Sequence, residues 1–199
     1  MFERAQIDMT LPQGASYHHD FLDPEEEADI TRLLDEGLWD GGLRRRVQHF
    51  GYRYDYKART VTRETRLGPL PAWLATLGQR LVAAGHFEAP PDQVIANEYL
   101  PGQGISAHID CEPCFDGTIV SVSLLSRCEM IFRPRGIAGR TGGGSSVILE
   151  PRSALVLKDE ARYLWTHEIP ARKSDNIRGE RVARSRRISL TFRKVVLTR

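Results

Sequence analysis

The stretch Asn97-Glu-Tyr-Leu-Pro-Gly-Gln-Gly-Ile-Ser-Ala-His-Ile-Asp110 places several chemically distinctive side chains in a short part of the chain. Side chains alternate between the two faces of a β-strand, so Asn97 and Tyr99 are predicted to share one face. The Pro-Gly pair that follows indicates a turn. Beyond the turn, His108 and Asp110 are two residues apart, and an extended segment would point both in the same direction.

A later histidine completes a candidate metal site. His167 ends the run Tyr-Leu-Trp-Thr-His and offers a second imidazole. Two histidines and one carboxylate on one face of a metal, with the other positions open, form the ligand set that suits non-haem Fe(II) oxygenases. His-x-Asp also occurs by chance in many chains, and alone it is better explained as a hydrogen-bonded or surface pair. The prediction therefore depends on the residues around His108 and Asp110.

A second later run, Arg187-Ile-Ser-Leu-Thr-Phe-Arg193, strengthens the prediction. Arg187, Ser189 and Arg193 would share one face of a strand. The two arginine backbones would be roughly 20 Å apart at the rise of a strand. Both side chains are nevertheless long enough to lean toward one small dianion, and arginine recognises carboxylates with a bidentate fork. We expect a dicarboxylate co-substrate beside the metal.

In this order, the motifs resemble those of the AlkB family of Fe(II)- and 2-oxoglutarate-dependent dioxygenases. The resemblance covers roughly residues 16–196, and a further motif, His49-Phe-Gly-Tyr-Arg-Tyr54, precedes the others. It implies Fe(II) and 2-oxoglutarate as cofactors and dioxygen as co-substrate. The implied iron ligands are His108, Asp110 and His167. The residues assigned to 2-oxoglutarate are Tyr99 and Arg187 at the distal carboxylate, Asn97 and Arg193 near the metal-bound end, and Ser189.

Length and composition bound the fold. A chain of 199 residues, 41% of them hydrophobic, fits one domain with one core over residues 1–199. Many short strands broken by turns, preceded by two helices, predict an α+β protein. Its core would be a double-stranded β-helix, or jelly roll, with supporting N-terminal helices. No segment reaches the apolar length of a membrane span, and no signal peptide is apparent, so we expect a cytoplasmic protein without membrane contact. We also expect a monomer.

Several local elements can be predicted. Residues 1–15 are expected to be a loosely attached lead-in, and Tyr17–Leu22 a short strand. Asp23 before Pro24 predicts a helix start. A second helix is expected from Pro71 to about Ala84. The glycine-rich segment 134–146 is expected to connect two strands of a hairpin.

Residues 40–70 are basic and aromatic, and the resemblance implies a nucleotide-recognition lid there. Tyr52, Tyr54 and Tyr56 alternate along the chain, so a strand would present three phenols on one face. Such a face would stack on bases if exposed, or pack on the core if buried. We assign Tyr52 and Tyr54 to substrate binding, together with Glu112, which follows the candidate metal pair.

Charge is unevenly distributed although the net charge is only +2. Residues 1–40 carry eleven acidic residues against two arginines, whereas 44–66 and 172–194 are basic. A solvated surface is the ordinary explanation of such runs. Two basic segments at one cleft would instead favour a polyanion such as nucleic acid. Residues 170–186 are expected to be a mobile basic loop beside the cleft.

The three cysteines are Cys111, Cys114 and Cys128. Their odd number argues against a disulfide framework, and a zinc site would need a second Cys-x-x-Cys. We therefore expect ordinary reduced thiols. Because Cys111 and Cys114 follow Asp110 closely, their oxidation would be expected to disturb the metal site.

The predicted function is oxidative demethylation of alkylated bases in single-stranded DNA or RNA. The motifs Arg46–Tyr52, Arg162–His167 and Ile188–Arg193 look most like the branch that includes tRNA wobble-uridine hydroxylases. Those animal enzymes carry additional domains that this sequence does not contain, so hydroxylation of a modified wobble uridine in tRNA stands second. A protein or small-molecule hydroxylase and a non-catalytic jelly-roll binding module are the alternatives from other classes.

Overall fold

The computed structural model describes residues 11–136 and 143–197. The helices are α1 (Pro24–Glu36), α2 (Ala72–Ala83) and α3 (Asp159–Tyr163). The strands are β1 (Ala15–His18), β2 (Val47–Phe50), β3 (Gln93–Tyr99), β4 (Ile105–His108), β5 (Phe115–Leu124), β6 (Cys128–Pro134), β7 (Ser145–Leu149), β8 (Ala154–Leu157), β9 (Trp165–Ile169), β10 (Ser174–Ile177), β11 (Glu180–Ala183) and β12 (Arg187–Val195).

Two antiparallel sheets form the body of the fold. The larger has six strands in the order β1-β8-β5-β12-β3-β2, and the smaller has four in the order β4-β9-β6-β7. The last strand, β12, lies inside the larger sheet between β5 and β3. Its register with β3 sets Arg187 opposite Tyr99 and Ser189 opposite Asn97. The predicted α+β jelly roll is confirmed.

Strands β3 and β12 have two buried faces of different character. One face carries Val94, Ala96, Ile188, Leu190 and Phe192, which join a core cluster with residues of α1 and α2. Alternate positions on the same strands carry polar side chains and face the smaller sheet. Polar side chains that are buried against an apolar layer without partners cost free energy. The polar positions on the second face of β3 and β12 therefore indicate a cavity between the sheets, where such side chains can meet a ligand.

Both long helices begin and end as their sequences predict. Asp23 accepts from the backbone N–H of Glu26, and the Glu26 carboxylate accepts from the N–H of Asp23, so two otherwise unpaired helix donors are satisfied. The helix α1 stops before Gly37. In α2, the buried positions include Leu74, Leu77 and Leu81, at helical spacing.

Two predicted strands are wrong. The first strand is β1 and ends at His18, short of the predicted Tyr17–Leu22. The predicted strand through Tyr52–Tyr56 is absent, because Gly51 adopts φ 77°, and a Cβ atom there would lie 1.8 Å from the carbonyl oxygen of Asp92. Asp55 then accepts from two backbone N–H groups just beyond it and closes a turn.

The basic segment 170–186 contains a hairpin of β10 and β11 rather than an irregular loop. Its base is fixed by Asp175, which is 2% exposed and accepts from Arg184 through both carboxylate oxygens and from Arg172. Much of the positive charge predicted beside the cleft is therefore neutralised within the fold, by Asp175 of the same segment and by the more distant Glu129 and Asp35.

Ten residues of the predicted lead-in, 1–10, lie outside the described part of the chain, as does 137–142 of the predicted glycine-rich connection. From Leu11 onward the lead-in is attached, with Pro12 buried and Ala15 beginning β1. Within the described ranges, no helix has both the length and the apolar character needed to cross a membrane.

Candidate active site

A cavity of about 580 Å³ lies between the two sheets. The larger sheet lines it with polar residues of β3 and β12 and with apolar residues of β5 and β8, and the smaller sheet with β4, β9 and Met130. Its size falls within the range of small-molecule sites. The sequence-predicted residues Asn97, Tyr99, Arg187, Ser189 and Arg193 all line it, together with His108, Asp110 and His167.

His108, Asp110 and His167 converge at this cavity. Each contributes one ligand-type atom, and these atoms lie within 4.8 Å of one another. The convergence follows from strand pairing, because His108 at the end of β4 is directly opposite His167 on β9. The Nε2 atom of His167 lies 3.6 Å from Oδ2 of Asp110. Three donors this close suit a single metal ion, and two nitrogens with one oxygen suit Fe(II).

The hydrogen bonds of the triad leave metal-facing atoms free. The Nδ1 atom of His108 lies 2.8 Å from the carbonyl oxygen of Ser106, so an N–H there donates to the backbone and Nε2 keeps its lone pair. Arg193 donates to Oδ1 of Asp110 at 2.6 and 2.7 Å. The other carboxylate oxygen, Oδ2, is the one that faces His167.

Protonation states also favour a metal. Burial lowers the pKa of His167 to about 3, so the ring is neutral at physiological pH. Burial acts to raise the pKa of Asp110, but the positive charge of Arg193 outweighs it and holds that pKa well below its ordinary value. A metal ion needs a neutral imidazole and an ionised carboxylate, and both are present.

Arg187 presents an incompletely satisfied cation to the same cavity. It is 2% exposed, one guanidinium nitrogen donates to the hydroxyl of Ser123 at 2.8 Å, and Nε and Nη1 have no hydrogen-bond partner among the residues that the structure describes. The guanidinium carbon lies 5.3 Å from the centre of the Tyr99 ring. Buried N–H groups without partners are costly, so this site fits an anion that accepts from them. A carboxylate of 2-oxoglutarate has the required chemistry.

The remaining assigned residues of the cavity have different environments. Ser189 is 4% exposed on β12 between the two arginines. Asn97 is 6% exposed, and its side-chain oxygen accepts from Nε of Arg45 at 3.0 Å. Arg45 also lies near Tyr99, with its guanidinium carbon 5.9 Å from the ring centre. Sequence patterns gave no reason to select Arg45, because its partner is 52 residues away.

The outer part of the cavity is lined by cationic and aromatic residues of the segment 43–59. Tyr54 and Tyr56 line it, with ring centres 5.1 Å apart in an edge-to-face arrangement. Arg44 and Arg59 line it as well, and both are exposed. Tyr52, which was assigned to substrate binding, instead packs against the core between the sheets and is not among the lining residues.

Glu112 was also assigned to substrate binding, and the structure does not bring it to the cavity lining. Its carboxylate accepts from Arg135 at 2.5 Å on the protein surface. The neighbouring Cys111 and Cys114 form a disulfide, so the expectation of reduced thiols is wrong for these two residues, whereas Cys128 is a free thiol. A turn closed by the Cys114 N–H and the Cys111 carbonyl holds their Cα atoms 5.3 Å apart, within disulfide range.

A fully buried arginine beside the triad was missed from the sequence. Arg162 is 2% exposed in α3 and donates to the backbone carbonyl oxygens of Asp110, Cys111 and Phe115. Its hydrogen-bond partners are main-chain carbonyl groups, which every residue carries, so no pattern of residue types in the sequence predicts these contacts.

Comparison with known proteins agrees with this geometry. Residues 14–193 match the model of the 2OG-Fe(II) oxygenase superfamily. The chain is 37% identical to the Arabidopsis thaliana protein named alkylated DNA repair protein ALKBH8 homolog, covering 88% of this chain and 56% of that protein. It is 35% identical to the mouse tRNA (carboxymethyluridine(34)-5-O)-methyltransferase ALKBH8, covering 93% of this chain and 31% of that protein. The chain therefore spans about half or less of these two relatives.

A third relative is closer in length. Protein L905 of Acanthamoeba polyphaga mimivirus is 32% identical, over 92% of this chain and 85% of its own. Among solved structures, that of OsALKBH1 superposes with a TM-score of 0.71 at 21% identity, covering 92% of this chain and 98% of the other, which supports the fold. With the predicted Fe(II) and 2-oxoglutarate requirement confirmed by this membership, the chain belongs to the 2OG-Fe(II) oxygenase superfamily and, within it, to the AlkB family of dioxygenases.

Proposed function

We propose that this dioxygenase removes methyl groups from alkylated bases in single-stranded DNA or RNA. The observation that carries the proposal is one continuous cavity whose lining includes both the His-Asp-His triad and an outer rim of arginine and tyrosine residues. A small-molecule hydroxylase has no need of exposed cations at the entrance to its site. A polynucleotide offers phosphates to such cations and a base to the rings.

His108, Asp110 and His167 would hold Fe(II), with Asp110 binding through the carboxylate oxygen that Arg193 leaves free. The unpartnered N–H groups of Arg187 would receive the distal carboxylate of 2-oxoglutarate, and the neighbouring Tyr99 ring would pack beside it. Asn97, Ser189 and Arg193 surround the remaining part of that molecule. These residues orient the co-substrate and exclude water, and the bound metal and 2-oxoglutarate supply oxidation of a C–H bond with dioxygen.

Tyr54 and Tyr56 would stack on the target base, while Arg44 and Arg59 would contact the phosphates beside it. A base must leave its stack to enter a cavity of this kind, which is easier from a single strand than from a duplex. Oxidation of a methyl group on a base nitrogen gives a hydroxymethyl group, which is released as formaldehyde and restores the base. The substrate roles of Tyr52 and Glu112 have no support from their positions, so we no longer propose them.

Mass spectrometry of modified oligonucleotides tests the proposal. Single-stranded DNA and RNA oligomers that carry methylated bases are incubated with protein, Fe(II), ascorbate and 2-oxoglutarate. We expect the loss of one CH₂ from at least one oligomer, dependent on 2-oxoglutarate. Turnover of 2-oxoglutarate with every oligomer intact, including the tRNA substrates described next, would reject nucleic-acid oxidation and leave protein or small-molecule substrates.

Hydroxylation of a modified wobble uridine in tRNA is the second candidate. It is favoured by the 34–37% identity to three proteins whose names include ALKBH8, two of which are named tRNA (carboxymethyluridine(34)-5-O)-methyltransferase. A hydroxyl group on a carbon substituent remains attached, so the product gains one oxygen atom instead of losing CH₂. The same mass measurement on tRNA anticodon stem-loops therefore separates the two activities.

A further inference from the structure

Arg162 is a buried cation that forms no salt bridge with any acidic residue in the described ranges 11–136 and 143–197. Its guanidinium donates to the carbonyl oxygen of Asp110 at 2.9 Å, of Cys111 at 3.2 Å and of Phe115 at 3.4 Å. The guanidinium carbon lies 4.9 Å from the centre of the Tyr163 ring. Burying a charge costs free energy that an apolar side chain of similar size would not incur. The position of Arg162 therefore calls for a reason beyond packing.

The three carbonyl groups lie on the segment that runs from the candidate ligand Asp110 to Phe115, the first residue of β5. Nη1 of Arg162 donates to the first of these oxygens and Nη2 to the other two, so one guanidinium separates three partial negative charges that would otherwise repel. A guanidinium offers several N–H donors in a fixed plane and serves diverging acceptors at once. Arg162 thus holds this segment in one conformation.

The same side chain joins two parts of the candidate metal site. Arg162 lies at the end of α3, directly before β9, the strand that carries His167. Its contacts lie on the segment that carries Asp110. Arg193 in turn binds the side-chain carboxylate of Asp110. Asp110 is therefore held from both sides, at its backbone by Arg162 and at its side chain by Arg193.

We propose that Arg162 is a positioning residue that sets the place of Asp110 relative to His167 for metal binding. It touches neither the reacting atoms nor the co-substrate. Its effect is exerted through the main chain of the ligand, and its loss should weaken the affinity for Fe(II). This inference rests on the ligand assignment made above and is independent of the nucleic-acid substrate.

The test compares Arg162→Met and Arg162→Lys with the wild-type protein in anaerobic Fe(II) titrations. For Arg162→Met we expect a roughly 10- to 100-fold loss of affinity, the range typical of residues that orient metal ligands. Arg162→Lys should recover part of the lost affinity, because its ammonium group keeps the positive charge. The recovery should be incomplete, since an ammonium group cannot reach three carbonyls in one plane. In metal-free protein, hydrogen exchange of the amides in 109–116 should become faster in the methionine variant.

Arg80→Met is the matched control. Arg80 also donates to a backbone carbonyl, that of Phe21, and pairs with Glu26, but it does not line the cavity. The Arg80→Met substitution should lower the melting temperature and leave the affinity for Fe(II) unchanged. Equal losses of affinity in Arg80→Met and Arg162→Met would assign the effect to general destabilisation and overturn the proposal. Unchanged affinity in Arg162→Met would overturn it too, and retained Fe(II) binding in His108→Ala would instead overturn the ligand assignment.

Discussion

The inner and outer parts of the cavity are built in opposite ways. Most of the inner part consists of side chains on paired strands, where His108 faces His167 and Arg187 faces Tyr99 across antiparallel pairs, and Asp110 lies just beyond the end of β4. The outer part comes from the segment 43–59, whose lining residues all lie outside the strands. Strand pairing fixes the inner geometry before any ligand arrives. Turns leave the outer part to be shaped by the substrate, so changes in the two parts should affect different measurements.

The largest effect is expected at the metal. His108→Ala should abolish Fe(II) binding and 2-oxoglutarate turnover, because two remaining ligands hold a divalent ion weakly. His86→Ala is a suitable control, since His86 contacts His18 outside the cavity. Anaerobic metal titration and succinate formation measure both properties. Full turnover in His108→Ala would break the assignment of the inner part.

Arg187→Met should raise the KM for 2-oxoglutarate roughly 10- to 100-fold, corresponding to one lost charge-assisted interaction of about 1.5–3 kcal/mol. The adjacent Arg186→Met is the control, because Arg186 lies on the opposite face of the sheet and pairs with Asp35 and Glu98. It should reduce thermal stability without changing that KM. Equal KM values in the two variants would show that the cation at 187 does not bind the co-substrate.

Tyr54→Leu should raise the KM for an oligonucleotide roughly 5- to 150-fold, since stacking of one base on an aromatic ring contributes about 1–3 kcal/mol. Affinities for Fe(II) and 2-oxoglutarate should stay at the wild-type values. Tyr52→Leu tests the same residue type in the same segment but outside the cavity. If Tyr54→Leu also weakened 2-oxoglutarate binding, the proposed separation of inner and outer parts would be wrong.

Removing the outer cations should have a graded effect. Arg44→Ala and Arg59→Ala should each lower oligonucleotide affinity modestly and reduce the slope of log affinity against log salt by about one. Arg32→Ala removes one positive charge from the acidic helix α1, where it pairs with Glu36, and controls for net charge. Fluorescence anisotropy at several salt concentrations gives the slopes. Slopes identical to the wild type would exclude phosphate contacts at these arginines.

The smallest effect concerns His49, which supports the outer segment with Nδ1 3.5 Å from the backbone nitrogen of Tyr54. Burial and the charge of Arg53 lower its pKa from 6.5 to about 4. Between these values the unfolded chain binds a proton that the folded protein does not. Stability is therefore unaffected above about pH 6.5 and falls as pH decreases toward 4.

His49→Gln should remove this part of the pH dependence. Melting temperatures of metal-free wild type and variant at about pH 7 and about pH 5 provide the measurement. The loss on acidification should be smaller in the variant, although His167 still contributes in the same direction because its pKa is also lowered. An unchanged loss would mean that His49 is not buried as a neutral ring.

The sequence was most informative where side-chain alternation and strand pairing coincide. The periodicity of β3 and β12 predicted which residues share a face, and their register brought those faces together. The same periodicity failed at Tyr52, Tyr54 and Tyr56, because alternation was read as a strand where Gly51 and the Asp55 turn divert the backbone. A segment with alternating side chains forms a strand only if a neighbouring strand is present to pair with it, and the local sequence does not show whether one is.

Two further limits have the same physical origin. Glu112 is close to the metal ligand Asp110 in sequence, yet its carboxylate pairs on the surface with Arg135, which is 23 residues away in the chain. The arginines of 170–186 resemble a free basic surface, but Arg172, Arg184 and Arg186 are paired with acids such as Glu129, Asp175 and Asp35. Charge partners are chosen by the folded geometry, and a count of charges along the chain cannot identify them.

The two-faced character of β12 has a consequence for the kinds of sequence change that this chain tolerates. A substitution at Arg187 or Ser189 alters the cavity and leaves the core residues Ile188 and Leu190 in place. An insertion or deletion of one residue inside β12 would exchange the two faces, turning arginines into the apolar layer and aliphatic side chains into the cavity. Core packing and co-substrate binding would then be lost in a single step. In this central strand, variation should therefore proceed by replacement, with changes of length confined to the loops.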